Sequence, residues 1–161
     1  MIKTIKEVDL KNKTVILRCD FNVPIKNNKI VDDNRIIESL DTIKYILSQN
    51  TKLVILSHLG RVENKEDMKD NTLNPIAIRL SKYIKKKVIF CEENEGQKVE
   101  ELVKNSKYGD IILLENTRYQ DINNKRESRN DPNLGKYWSS LGNIFINDAF
   151  GTAHRAHASN V

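Results

Sequence analysis

What this sequence lacks narrows it first. It has only two cysteines, Cys19 and Cys91, which form no CxxC pair and match no metal-ligand spacing; a disulfide framework and a zinc module are excluded, and a reducing cytosol is the simplest compartment. Its longest apolar runs, such as Ile111-Ile112-Leu113-Leu114, fall far short of the roughly 18 residues a membrane span needs, so no membrane partner is expected. Residues Met1 to Glu7 contain no apolar h-region, so no secretory signal is expected and the sequon Asn12-Lys13-Thr14 would go unused. Six glycines and three prolines show no collagen or low-complexity bias, and there is no internal repeat or linker. The nucleotide-cradling patterns GxxxxGK[ST] and GxGxxG are absent, as is the GxSxG elbow of a serine hydrolase.

What is present is a chain for one domain. Its 161 residues are 39% hydrophobic, too apolar for a disordered tail and long enough to bury about two-thirds of the unfolded surface. The net charge of +5 comes largely from lysines scattered beside asparagines, as in Lys26-Asn27-Asn28-Lys29, and reads as a solvated surface. Five short, continuous runs rich in Val, Ile and Leu stand out: Thr14–Cys19, Lys52–Ser57, Lys87–Cys91, Asp110–Glu115 and Asn143–Asn147. Continuous rather than alternating runs predict strands buried on both faces, hence a parallel sheet covered by helices.

Helical patterns separate these runs. Behind an Asp or Asn cap at 32–34, Ile36, Ile37, Leu40, Ile43, Ile46 and Leu47 trace one face. Pro75 opens a second helix with Ile76, Leu80, Tyr83 and Ile84 inward and Lys85-Lys86-Lys87 at its negative end. A third spans about Gln97 to Lys107. A fourth starts at Asp131-Pro132, packs Leu134, Tyr137, Trp138 and Leu141, and stops at Gly142. Trp138 and Tyr137 sit at helical spacing among leucines, which assigns them to the core. Alternating strands and helices predict an α/β fold with a doubly wound, mainly parallel sheet, a Rossmann-like three-layer αβα arrangement whose ligands bind beyond the carboxyl ends of the strands.

Four of the five strands end in ligand-binding groups. They are Arg18-Cys19-Asp20-Phe21-Asn22, Ser57-His58-Leu59-Gly60-Arg61, Glu115-Asn116-Thr117-Arg118, and the run from Asn147 through His154, Arg155 and His157. The remaining one ends in Cys91-Glu92-Glu93-Asn94-Glu95-Gly96, which reads as a solvated acidic turn. Any single arginine here has an ordinary role in a surface ion pair, Asp20 could cap a turn and Asn22 could start a bend. Their gathering at one face is what predicts a small anion with more than one oxyanion group, since guanidinium pairs bidentately with carboxylate or phosphate. His154-x-x-His157 has neither cysteine nor a metzincin context, so no metal is expected.

These strand ends resemble the phosphoglycerate kinase family, in its N-terminal domain. RCDFNVP (18–24), DNRI (33–36), SHLGR (57–61), ENTR (115–118) and NDAFGTAHRAHAS (147–159) occur in family order from one end of the chain to the other. Val62 stands where the family usually has proline, and Thr117-Arg118-Tyr119 replaces Val-Arg-Phe. The resemblance implies that Asp20, Phe21, Asn22, Arg35, His58, Leu59, Gly60, Arg61, Arg118 and Arg155 bind 3-phosphoglycerate or 1,3-bisphosphoglycerate. Within that set His58, Arg61, Arg118 and Arg155 would grip the phosphate and Arg35 would be catalytic. It further implies that residues 1–161 are a single substrate-binding domain. The Mg-ATP or ADP site, with its glycine-rich segments and lysine, would belong to a second domain absent from this chain, leaving no cofactor bound here. On that reading the protein is a cytoplasmic glycolytic transferase, a monomer without nucleic-acid or membrane partners, and this fragment alone is inactive. Two other readings stay open: an anion-binding module without catalysis, and a basic nucleic-acid binder, which would need a contiguous positive stripe.

Overall fold

A computed structural model describes residues 8–27, 29–60, 62–122, 127 and 132–148. Strand β1 (Thr14–Cys19) leads through the hairpin strands β2 (Ile25–Lys26) and β3 (Lys29–Ile30) into helix α1 (Asn34–Ser48) and strand β4 (Lys52–Leu56). Helices α2 (Lys65–Asp70) and α3 (Asn74–Ile84) precede β5 (Val88–Cys91), α4 (Gln97–Asn105) and β6 (Ile111–Leu114). A 3-10 turn (Thr117–Ile122), α5 (Pro132–Ser140) and β7 (Ile144–Asp148) follow.

The sheet has the order β5-β6-β4-β1-β7, all parallel. Alternate residues of each strand feed opposite layers, as strand geometry requires. Val15, Leu17, Leu53, Ile55, Ile111 and Leu113 pack with Ile36, Ile43 and Ile46 of α1 and Ile76, Ala77 and Leu80 of α3. Ile16, Val54, Leu56, Ile112 and Leu114 pack with Val99 and Val103 of α4 and Leu134 and Trp138 of α5. The chain is therefore a three-layer αβα sandwich, the expected doubly wound α/β fold. Gly142 lets α5 end tightly against β1, since a Cβ there would lie 2.8 Å from the Thr14 carbonyl oxygen and 2.9 Å from Ile16. Among the described residues no helix is long and apolar enough to cross a membrane.

Several local expectations change. Ile37 is exposed, so the buried stripe of α1 is narrower than its apolar spacing suggests. Asp33 occupies the N-cap position of α1 but makes no side-chain cap bond; it accepts instead from Arg79 at 2.6 Å and from the Tyr83 hydroxyl, pinning α1 to α3. The hairpin and α2 were not apparent in the pattern: the hairpin strands have only two residues each, and α2 buries no residue and rests on the Asn64 cap, whose side chain accepts from the Asp67 amide. The fourth helix begins at Pro132, and the cap expected at Asp131 lies outside the described residues.

Candidate functional site

The strand order decides which strand ends meet. β6, β4, β1 and β7 are neighbours, so the ends of these four strands lie side by side at the carboxyl edge, while β5 sits outermost; the run that follows β7 lies outside the described residues. Arg18 is in register with Leu56 on one side and Asn147 on the other, which sets the loop after β1 beside the loop after β4.

Hydrogen bonds knit these loops into one surface. The Asp20 carboxylate forms an ion pair with Arg35 of the first turn of α1 and accepts from the Asn22 amide at 3.1 Å. The Asn22 side-chain oxygen in turn accepts from the Gly60 amide at 2.9 Å. Gly60 adopts φ +60, and a side chain there would strain the backbone and push the Asn71 carboxamide aside. The Ser57 hydroxyl accepts from the Phe21 amide at 3.0 Å, and the Ser57 carbonyl accepts from the Thr117 amide at 3.0 Å. Asn22, Leu59 and Gly60, with Asp70 and Asn71, line an open depression of about 350 Å³.

Beneath this surface lies a buried guanidinium. Arg18 shares the strand face of Ile16, points into the α5 layer and is 0% exposed. Its Nη2 stands 3.4 Å from His58 Nδ1. Guanidinium only donates, so this contact is a hydrogen bond in the tautomer that leaves Nδ1 unprotonated. Burial pulls the Arg18 pKa below its ordinary value; Glu127 and Asp20 oppose that fall, and the neighbouring positive charge of Arg118 adds to it. Among the described residues, Arg18 Nε and Nη1 and Arg118 Nε are buried without hydrogen-bond partners. Such unmet donors cost about 1–3 kcal/mol each, and charged ones more; the Glu127 and Asp20 carboxylates offset part of the charge on Arg18, which the fold shuts away from solvent.

The strand-end residues of the sequence analysis thus fall into two kinds. Asp20, Asn22, Arg35, His58, Gly60 and Arg118 belong to one connected polar surface. The side chains of Phe21 and Leu59 pack in the hydrophobic core, and their backbone amides donate to Ser57 and Asn116, though Leu59 also borders the open depression. Arg61 and Arg155 lie outside the described residues, as do His154 and His157. The turn after β5 is not simply a solvated acidic turn. Glu92 and Glu93 are exposed, but Asn94 is buried, donating to the Glu115 and Asn116 carbonyls at 3.3 and 2.8 Å and accepting at its own carbonyl from Trp138 Nε1 at 2.7 Å. Arg18 and Asn116 were not singled out from sequence. The signal for Arg18 was a charged residue inside an otherwise apolar strand; Asn116 gave none beyond its place at a strand end.

The two departures from the family pattern are both accommodated. Val62 is buried, and the Tyr119 hydroxyl donates to the Met68 carbonyl, with burial raising its pKa. Among the described residues no group of His, Cys, Asp and Glu could hold a metal ion. Neither cysteine forms a disulfide; both are buried, and burial raises the Cys91 thiol pKa.

Comparison with known proteins agrees with this architecture. A family model described as phosphoglycerate kinase matches residues 5–161. Phosphoglycerate kinase of Lactobacillus johnsonii is 59% identical over 160 residues, covering 98% of this chain, and that of Staphylococcus aureus is 55% identical over 159 residues, covering 99%. The chain spans 40% of the length of these relatives. Among solved structures, phosphoglycerate kinase from Coxiella burnetii superposes with a TM-score of 0.81 at 39% identity, covering 96% of this chain and 37% of its own. That from Pyrococcus horikoshii gives 0.85 at 31%, covering 98% and 39%. With strand ends, sheet order and sequence all in accord, the chain belongs to the phosphoglycerate kinase family.

Proposed function

We propose that residues 1–161 form the substrate-binding domain of a phosphoglycerate kinase, and that 3-phosphoglycerate or 1,3-bisphosphoglycerate binds across the surface built by Asp20, Asn22, Arg35, His58, Gly60 and Arg118. Arg61 and Arg155 join it on the family resemblance. The observation that carries this reading is the buried Arg18 beside His58, with the half-buried Arg118 close enough to repel it, under loops tied to one another in a chain of this family. Arg118, half-buried at the end of β6 and close enough to Arg18 to lower its pKa, offers a guanidinium that pairs with phosphate or carboxylate oxygens.

In the full reaction a carboxylate oxygen of 3-phosphoglycerate bonds to the γ-phosphorus of ATP as ADP leaves, or the reverse. Mg-ATP or ADP would be held by a domain outside these residues. Charge then spreads over the transferring oxygens, and positioned cations supply most of the stabilisation. Arg35 is placed for that role: it stands on the first turn of α1, its side chain is 51% exposed, and its partner Asp20 belongs to the site itself. The cytoplasm and a monomeric state fit this activity.

Calorimetric titration of the 161-residue chain tests the binding half of the proposal. Saturable binding of 3-phosphoglycerate, displaced by inorganic phosphate but not by chloride at equal ionic strength, is expected. No heat beyond dilution would contradict it. The same preparation should show no turnover with ATP and 3-phosphoglycerate.

A further inference from the structure

We propose that Asn116 is a positioning residue: its carboxamide sets the spacing between the Leu59–Gly60 loop, which carries His58, and the turn that carries Arg118. The ligand in this inference rests on the function proposed above.

Asn116 is 0% exposed at the carboxyl end of β6, and its side chain makes four hydrogen bonds, all to backbone. Oδ1 accepts from the Leu59 amide at 3.1 Å and from the Arg118 amide at 3.0 Å. Nδ2 donates to the Leu59 carbonyl at 2.8 Å and to the Asn71 carbonyl at 2.9 Å. One planar amide therefore fixes three segments: the loop after β4, the turn after β6, and the α2–α3 connection whose Asn71 borders Gly60. Two of those segments carry candidate anion donors.

The residue type follows from the inventory of bonds. The site needs one atom that accepts twice and one that donates twice, separated by an amide. An ionised aspartate keeps the acceptor but sets a second acceptor against the Leu59 and Asn71 carbonyls. Alanine supplies neither. Asn116 is itself held from behind, because Asn94 Nδ2 donates to its carbonyl at 2.8 Å and Glu115 Oε1 accepts from its amide at 2.9 Å. The rigidity that holds the loop of His58 at a fixed distance from the turn of Arg118 is thus built inward from the carboxyl edge, in the way a binding constellation is held by its supporting shell.

The test compares Asn116→Ala and Asn116→Asp with Thr51→Ala. Thr51 is equally buried and loses a hydrogen bond to the Ile46 carbonyl, but it lies at the opposite end of β4. In unliganded protein, hydrogen exchange at the Leu59 and Arg118 amides should rise together by about tenfold in Asn116→Ala and not in Thr51→Ala. Asn116→Asp, which retains the acceptor, should restore much of the protection at Arg118. Exchange at those amides no greater than in Thr51→Ala would overturn the inference, whether or not 3-phosphoglycerate binds. Calorimetry should then show affinity for 3-phosphoglycerate falling about tenfold in Asn116→Ala and unchanged in Thr51→Ala. In an Arg118→Ala background the same Asn116→Ala change should cost less than about threefold, because the two act through one turn. An equal loss in both backgrounds would overturn positioning through Arg118. A wild-type chain that binds no 3-phosphoglycerate would refute the proposed function, leaving the exchange result to decide Asn116.

Discussion

Two clusters of charge in this molecule are built on opposite principles. Between α1 and α3, Asp33 accepts from Arg79 at 2.6 Å and from the Tyr83 hydroxyl: one anion, one cation and one hydroxyl, each meeting its complement near solvent. At the carboxyl edge of the sheet, Arg18 is buried against His58 and near Arg118, and three guanidinium nitrogens find no partner among the described residues. The first arrangement is satisfied by the fold alone. In the second, Glu127 and Asp20 offset part of the charge on Arg18, and the leftover donors set it apart from the clamp between the helices.

The largest expected effect that sharpens this contrast is on binding. Arg118→Ala should weaken 3-phosphoglycerate binding by about ten- to a hundredfold, the range for losing a charge-assisted hydrogen bond, whereas Arg79→Ala should leave it unchanged in the same calorimetric titration. Equal losses in both variants would erase the distinction.

The pH dependence of stability should carry opposite signs in the two regions. The Tyr83 hydroxyl, then Arg79, holds the Asp33 carboxyl below its ordinary 3.8, so its contribution is present above that pH and is lost as pH falls through the lower folded value. Asp33→Asn should remove that acid-sensitive part of the denaturation curve. Glu115, buried just past β6, is raised above 4.5 by burial, against the bonds it accepts from Leu73, Thr72 and Asn116. Its folded state holds the proton more tightly, so stability declines as pH climbs from about 4.5 through the raised value. Glu115→Gln should flatten that decline in urea titrations across pH 4 to 7. Parallel pH profiles in wild type and both variants would contradict these assignments.

The smallest effect belongs to a third kind of pair. Lys98 and Glu92 stand 3.9 Å apart with side chains 60% and 80% exposed. Lys98→Ala should change stability by less than about 0.5 kcal/mol in the same urea titrations.

The sheet was legible in the sequence because its signal is thermodynamic: strands buried on both faces must be continuously apolar, and all five main runs became strands. The layers followed, since α1, α3, α4 and α5 carry apolar stripes that need a sheet to cover. What escaped lacks apolar periodicity. α2 buries nothing, and the β2–β3 hairpin is two residues on each side. Asp33 looked like a cap because aspartate before a helix usually caps; a partner 46 positions away in the chain, Arg79, claimed it. Within the site, residue types marked Asp20, Asn22, Arg35, His58 and Arg118, but Asn94 and Asn116 are read only from their partners. Their hydrogen bonds reach across loops far apart in sequence, and no local pattern records that.

The central claim is that the carboxyl edge, and not the α1–α3 clamp, receives the anion. Backbone NMR during titration with 3-phosphoglycerate tests it most directly. The amides of Asn22, Gly60 and Arg118 should shift together along one saturation curve while those of Asp33, Arg79 and Tyr83 stay fixed. Shifts centred on Asp33, Arg79 and Tyr83, or none at Asn22, Gly60 and Arg118, would contradict it.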